Sequence, residues 1–525
     1  MPTITSELDA RIRNSHDALA HLLYRRQFIL GSRFLPEFKS WQKLTVRDSW
    51  CLSVHPDLNA EQVSDAGKTI TLLGYILDPS NPSASNQSIL QVLARVLSAA
   101  DGCRKTIEAT SSLGGRWILL VDDGDQVILF SDATGNRQAF YSEHSYRDEF
   151  WCASQPGLIA DVLHLQRDAT AQTLRKIFSR IGKEYIFPGD SSFYARIRHL
   201  LPNHALSLDT GHTYRFWPDR PLDRLSLEEC TQRSAERITG LIKSASYRFP
   251  LSLSISAGRD TRLALAASRE VKDALRCFTL RYWNMTFSHP DITIPPKLLT
   301  SIGVPHTVID CPKESTAVFH TIFMKNVDGA HEAYSSIAEA LWHYFHNGTV
   351  CMKGITIPIA KRHYQSKLPA SRRRTVNPHL LADLLDLRES ALALQKCDEW
   401  LHSFENTFNY DVLDLFEWEI REGNWQAMAQ LEFDIAHEVF SPFNCRELLV
   451  TLLSLDPADR EPPRYRLHDT LIRKLWPEIL SQPINPPADA IRSLKSTPVL
   501  RPFMPYLRQL KHDWRYFMSK RLTAR

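Results

Sequence analysis

No stretch of the 525-residue sequence stays apolar for the roughly 18 residues needed to cross a bilayer, so no membrane-spanning segment is expected. The opening residues, Met1-Pro-Thr-Ile-Thr-Ser-Glu-Leu-Asp, have neither the basic start nor the apolar core of a signal peptide. Nine cysteines are scattered along the chain with no Cys-x-x-Cys pair. That pattern excludes a spacing-defined zinc site and argues for free thiols in a reducing compartment. The twenty histidines show no ligand spacing either. A strong charge of one sign is also missing. The net charge is +4 on a long chain, so no nucleic-acid partner is expected from overall charge. These absences leave a soluble, cytoplasmic protein with no membrane contact. Its length implies two domains rather than one core.

Regular patterns fill the chain. Short strands are expected in "RRQFILGSRF" and "SWCLSVHP", and a longer one in "KTITLLGYILD" (68–78). "NQSILQVLARVLSAA" (86–100) has the apolar spacing of an amphipathic helix. "RWILLVDD" and "QVILFSD" are two strands joined across Gly124-Asp125. With "AFYS" and "EFWCASQ" they predict one antiparallel meander that needs another layer to cover it. "PDRPLDRLS", behind Pro218, reads as a linker, and the expected boundary separates 1–218 from 219–525. "SLEECTQRSAERITGLIKSASY" (226–247) is a helix with a Ser N-cap and a Glu three residues on. Strand 251–256, helix 261–275, strand 276–283, helix 291–303 and strand 306–311 then alternate, as in a doubly wound parallel sheet. From about 315 the pattern is mostly helical, with a short strand at 348–354.

The stretch "LSLSISAGRDTRLALAAS" (251–268) carries the most chemistry. In a parallel sheet, ligands bind beyond the carboxyl ends of the strands, where loops meet helix N-termini. Ser256-Ala257-Gly258-Arg259-Asp260-Thr261 falls there. Amides at a helix start favour anions, Ser256 and Thr261 add hydroxyls, and Gly258 permits close approach to a phosphate. Asp260 would repel a bare phosphate, which points to a bridging Mg2+. An ordinary capped strand–helix turn remains the alternative reading of the same six residues.

The loop resembles the Ser-Gly-Gly-x-Asp-Ser pyrophosphate loop of ATP pyrophosphatases, in particular that of the asparagine synthetase family. Other stretches resemble that family in the same order. They are the "LGGRWILLVDDGDQVILFSDATGNRQAFYS" hairpin and turn, "FWCASQPGLI", "IRHLLPNHALSLDTGHTYRFWP", "HPDITIPPKLLTSIGVPHTVI" and "FSPFNCRELLVTLLSL". The resemblance covers roughly 65–460. It implies an α/β plus α+β chain: an N-terminal Ntn-type four-layer sandwich of the class II glutamine amidotransferase kind, then a doubly wound adenine-nucleotide α-hydrolase-like domain with a helical C-terminal part. It implies ATP and Mg2+ as cofactors, adenylation of a carboxylate and transfer of an amine to it. Ser256, Ala257, Gly258, Asp260 and Thr261 would hold the pyrophosphate end, Leu253, Thr279 and Leu280 would face the adenine, and Asp260 would be the metal ligand.

The sequence departs from the family pattern in several places. Residue 2 is Pro where the family's nucleophilic Cys stands, so no glutaminase activity is expected. Lost nucleophiles are a feature of family members that use larger amines, such as β-lactam synthetase and the lasso peptide cyclases. In "TVCMKGITIPIAKRHY" (349–364), Gly354 and Tyr364 match, but the family's Glu falls at Ile355 and its metal-binding Asp at Pro358. Ala257 replaces a loop glycine, and "SQPINPP" (481–487) has no lysine where the family has a late catalytic one. Lys353, Lys361, Arg362 and His363 make the segment around Gly354 basic, which reads either as charge that replaces a metal at phosphate or as solvated surface charge on a helix. Lys353 and Tyr364 are the candidate catalytic residues. "FEWEIREGNWQAMAQLEFDIAHEVFSPFNCR" (416–446) supplies acids that could take a proton from an amine, or form helix ion pairs. The basic loop 367–375 reads as a mobile loop, while the tail 491–525, with nine Lys/Arg against Asp513, could hold an acidic peptide, a carrier or precursor peptide, or nucleic acid, or else form an amphipathic helix that packs its aromatics and solvates its cations. The expected activity is an ATP-dependent amide-forming ligase acting on a small-molecule or peptide carboxylate and an amine. The alternative is a catalytically impaired relative that binds a nucleotide, peptide or partner.

Overall fold

The computed structural model describes residues 17–47, 49–143, 149–180, 184, 186–345, 348–369 and 372–486. The expected roles of the tail 491–525 and of part of the loop 367–375 lie outside the described residues. Among the described residues, seventeen strands make three sheets.

Two six-stranded antiparallel sheets come first. One runs β10 (Ile197–His199), β8 (Phe140–Ser142), β9 (Cys152–Ala153), β1 (Phe28–Gly31), β3 (Trp50–Val54), β2 (Gln42–Val46). The other runs β12 (Thr213–Arg215), β11 (His204–Ser207), β7 (Val127–Ser131), β6 (Gly114–Asp122), β5 (Lys68–Leu77), β4 (Ala60–Asp65). Phe28, Leu30 and Leu52 of the first meet Leu73, Ile118 and Leu129 of the second in one buried cluster. The outer face of the second sheet, with Leu72, Trp117 and Leu119, is covered by the helices Asn86–Ser98 and Gly102–Ala109. The outer face of the first, with Ile29 and Ala153, packs with Leu158 and Leu163 of the helix Pro156–Leu163 and Leu174 of the helix Ala169–Arg180. The order of layers is therefore helix, sheet, sheet, helix.

The expected single meander is corrected here. The β6–β7 hairpin forms, in register from Ile118 opposite Ser131 to Asp122 opposite Val127, but β8 and β9 belong to the other sheet. The turn 132–138 carries the chain across. Asp132 organises it, accepting from the amides of Asn136 and Arg137, both at 2.9 Å. Alternation marks strands, not the sheet they join.

The third sheet is parallel, in the order β15 (His306–Asp310), β14 (Arg276–Arg281), β13 (Leu251–Ser254), β16 (Val350–Met352), β17 (Glu438–Phe440). Ser226 and Glu229 close a reciprocal capping box on the helix Leu227–Ser246 that precedes it. The helix after β13 is shorter than expected, Arg259–Ala267, and ends where the Ser268 hydroxyl donates back to the Ala264 carbonyl at 2.8 Å. Leu251, Leu253, Cys277, Phe278, Val350 and Met352 bury the sheet in a core that also holds residues of the first sheet's outer face.

Buried ions tie the parallel sheet to the sandwich. Arg116 of β6 reaches Asp434 (Nη2 to Oδ2, 2.8 Å) and Glu438 of β17 (Nη1 to Oε1, 2.7 Å). Arg137 donates to the other Glu438 oxygen at 2.7 Å. Asp434, expected as a candidate for proton transfer or helix pairing, and Glu438 beside it are thus engaged by arginines more than 300 residues away in sequence. All nine cysteines are free, and seven are buried.

Candidate functional site

β13 to β15 step outward in one direction, and the chain then returns past β13 to add β16 and β17 on its other side. The loops leaving β13 and β16 therefore diverge at a topological switch point, where such sheets leave a crevice at their carboxyl ends. Both candidate segments lie there. Gly354, just after β16, is so close to the loop that a Cβ on it would come within 2.8 Å of the Asp260 carbonyl carbon and the Thr261 amide nitrogen.

The loop is internally ordered. The Gly258 amide donates to the Ser256 hydroxyl at 3.0 Å, and the Ser256 amide donates to the Thr261 hydroxyl at 3.2 Å. The Ala257 amide donates at 2.7 Å to Asp291, which opens the helix Pro290–Ser301. Gly258 is the N-cap of the helix Arg259–Ala267 and brings no side chain to it, so the first-turn amides are not capped from that position. Leu253 is fully buried, and Thr279 donates to the Ile255 carbonyl at 2.8 Å, tying β14 to the end of β13. Leu280 is half-buried against the core.

Asp260 is partly exposed and forms an ion pair with Lys361, with the imidazole Nε2 of His468 at 4.0 Å. Burial, with Lys361 and Arg259 adding like charge, lowers the His468 pKa well below its usual value, and among the described residues neither ring nitrogen has a hydrogen-bond partner. Lys361 is also 5.9 Å from the centre of the Tyr465 ring. Of the basic run after β16, Lys361 is the member paired with the loop. Lys353 turns away, donating to Gln430 at 3.0 Å over the Phe433 ring, with its pKa lowered by burial. Arg362 pairs with Asp411 and Glu461, and His363 meets Lys367. Tyr364 is buried against Phe416, and burial raises its hydroxyl pKa. Lys353 and Tyr364 are thus not among the partners the structure gives the loop.

Two features went unforeseen. Thr356 has φ of 75°, a left-handed conformation disfavoured for a β-branched residue, and its amide donates to Glu422 at 3.1 Å. Glu422 lies in a π-helix, Glu417–Gln426, a rare form that recurs at functional sites. Burial pushes its carboxyl up to about 8 against the pull of Arg421, with Glu417 and Asp260 adding like charge. Arg421 is shared between Glu417 at 3.0 Å and Glu422 at 3.3 Å. The second feature is a strap. The Asn485 amide donates to the Ala257 carbonyl at 3.0 Å, and Arg262 donates to the carbonyls of Ile479, Gln482 and Pro483, each at 2.9 Å. The segment matched to the family's late lysine thus lies against the loop, with Asn485 beside it.

The donor set does not fit a protein-held Mg2+. Asp260 is engaged by a lysine, Ile355 and Pro358 offer no oxygen side chain, and burial holds the Glu422 carboxyl above its ordinary pKa. Among the described residues no cluster of three or more His, Cys, Asp or Glu could hold a metal. Phosphate chemistry fits better, since an ammonium, two hydroxyls and a helix N-terminus converge at the loop.

No family model matches the sequence, and no curated protein matches it. Among solved structures, glutamine phosphoribosylpyrophosphate amidotransferase from B. subtilis, complexed with ADP and GMP, aligns over 64% of this chain and 77% of its own. The identity is 11% and the TM-score 0.23. A structure described as the allosteric regulatory enzyme of purine biosynthesis covers 66% and 78%, again at 11% identity and a TM-score of 0.23. Likeness at that level carries no weight for the activity of this chain.

Proposed function

We propose that the crevice binds the phosphates of ATP and that the protein is an AMP-forming carbon–nitrogen ligase of asparagine synthetase type without glutaminase activity. The observation that carries this reading is the Lys361–Asp260 pair on the Ser256–Thr261 loop, opposite Gly354 at the switch point. On this reading Lys361 stays beside Asp260, neutralising it, and turns its remaining N–H donors to the phosphates, supplying charge that a carboxylate-held metal would otherwise supply. The hydroxyls of Ser256 and Thr261 and the first-turn amides orient the chain of phosphates. A substrate carboxylate oxygen bonds to the α-phosphorus as the bond to pyrophosphate breaks. An amine then bonds to the acyl carbon, AMP departs and the amine loses a proton. Burial raises eight of the nine thiols above their ordinary pKa, which leaves them poor nucleophiles for glutamine.

ATP–pyrophosphate exchange across a panel of small and peptide carboxylates tests the ligase. Incorporation of label with one of them, lost in Lys361→Met, is the expected result. A specific observation favours a second reading, an inactive relative that binds nucleotide: Ile355 and Pro358 put apolar side chains where the family pattern has its Glu and its metal-binding Asp. ATP binding without exchange would establish that reading, and no ATP binding would remove both.

A further inference from the structure

A cleft of about 800 Å3 lies apart from the loop, between the end of the second antiparallel sheet and the helices Leu227–Ser246 and Arg446–Leu453. No residue of Ser256–Thr261 lines it. Its volume is ample for a small ligand. Arg446 opens onto it although only 7% exposed. The guanidinium lies 5.0 Å from the Phe216 ring centre, 5.6 Å from that of Trp217 and 5.9 Å from that of Trp418. Its hydrogen bond goes to the neutral Asn203 carboxamide. Asn203 in turn donates to Glu419 at 2.8 Å, but that carboxylate is already committed to Arg215 and to the Trp400 indole at 2.8 Å. Burial draws the Arg446 pKa down to about 10. Among the described residues no carboxylate forms an ion pair with Arg446, though Glu419 and Asp219 act on it at longer range, and a buried guanidinium without a direct counter-ion is costly unless an anion reaches it.

The rim indicates what the anion carries with it. Arg220 is paired with Asp219, and Arg237 with Glu447. Glu108, Asp223 and Glu236 add acid to the same lining and the exposed Arg233 adds a cation, so its carboxylates still outnumber its rim arginines, and Phe216, Trp217 and Tyr410 give it apolar walls. A phosphate dianion would face that excess of acid with one buried cation lacking a direct counter-ion to meet it. A single carboxylate matches Arg446 in charge and in its two-pronged geometry. An ammonium suits the acidic rim and an apolar side chain suits the rings. We infer that this cleft binds a zwitterion with a free carboxylate and a bulky apolar side chain, either an amino acid or a short peptide ending in one.

The test is calorimetric titration of the full chain with L-phenylalanine, glycyl-L-phenylalanine and L-phenylalaninamide. Saturable binding of the amino acid or the dipeptide is expected, at one site per chain, and the tighter of the two names the source. The amide should bind at least about tenfold more weakly, the loss of one charged pair. Arg446→Gln should abolish binding. Thr451→Trp, which fills the cleft from its wall and leaves the buried arginine in place, should do the same in a protein that melts normally. Failure of both carboxylates to bind below about 1 mM overturns the assignment, as does equal binding of the amide or undiminished binding by Thr451→Trp. ATP binding at the loop is read in a separate titration and is independent of each of these results.

Discussion

Replacing Gly354 with alanine forces two backbones apart at the switch point. The added methyl would come within 2.8 Å of the Asp260 carbonyl carbon and the Thr261 amide nitrogen, and 3.0 Å from the Asp260 carbonyl oxygen. All three are main-chain atoms of the helix start, so no flexible side chain can yield. Overpacking of this kind costs about 1–3 kcal/mol, and relief requires the loop after β16 or the helix Arg259–Ala267 to move. Either movement separates Lys361 from Asp260 and spoils the cradle. Gly348→Ala is the matched control. That residue has φ of 70° with nothing within 4 Å of the point a methyl would occupy, so alanine there meets conformational strain of about 1–2 kcal/mol and no clash. Both variants should melt a few degrees lower by differential scanning fluorimetry, while ATP affinity measured by calorimetry should fall about tenfold or more in Gly354→Ala alone. Wild-type ATP affinity and melting in Gly354→Ala would refute the close approach and with it the crevice.

Lys361→Met should weaken ATP binding about tenfold and flatten its dependence on salt, read by titration at two ionic strengths, because the lost cation is the one facing phosphate. Asp434→Asn leaves Arg116 and Arg137 with Glu438 as their remaining shared carboxylate and should cost about 3–5 kcal/mol in urea denaturation. Glu422 keeps its proton in the folded state up to about 8, whereas the unfolded carboxyl releases it near its ordinary value, so its contribution is greatest in acid and is lost as pH rises toward 8. Glu422→Gln should therefore remove a decline in stability between roughly pH 5 and pH 8, seen as a flatter profile of melting temperature.

How much of this could be read in advance follows from how local each feature is. The β13 strand, its loop and the following helix are contiguous, so apolar alternation, Gly258 and the helix-forming run that follows announced them together. β17 is three residues long and flanked by buried polar groups, so its membership in the parallel sheet depends on pairing with β16 and leaves no pattern of its own. The helix Pro290–Ser301 was legible in spite of Pro295 and Pro296, because its apolar positions kept their spacing. Sheet assignment of β8 and β9 was not, since the crossing is decided by Asp132 gathering amides from the turn.

The acids of 416–446 show the limit most clearly. Glu417 and Arg421 are four apart, the spacing of a helix ion pair, and they do bond, but inside a buried π-helix where Glu422 competes for the same cation. Glu419, in the same run, goes instead to Arg215, 204 residues earlier. Spacing can suggest which charges meet within one helix turn, but it carries no information about burial or distant partners, and those two quantities set whether a carboxyl is ionised. The same holds at the loop. Asp291 was visible within "HPDITIPPK", yet its bond to the Ala257 amide depends on the helix after β14 starting beside the loop after β13. An anion at that amide would compete with Asp291, so on the proposed reading phosphate approaches from the side of Lys361 and Thr261, where Gly258 gives the first helical turn no side-chain cap.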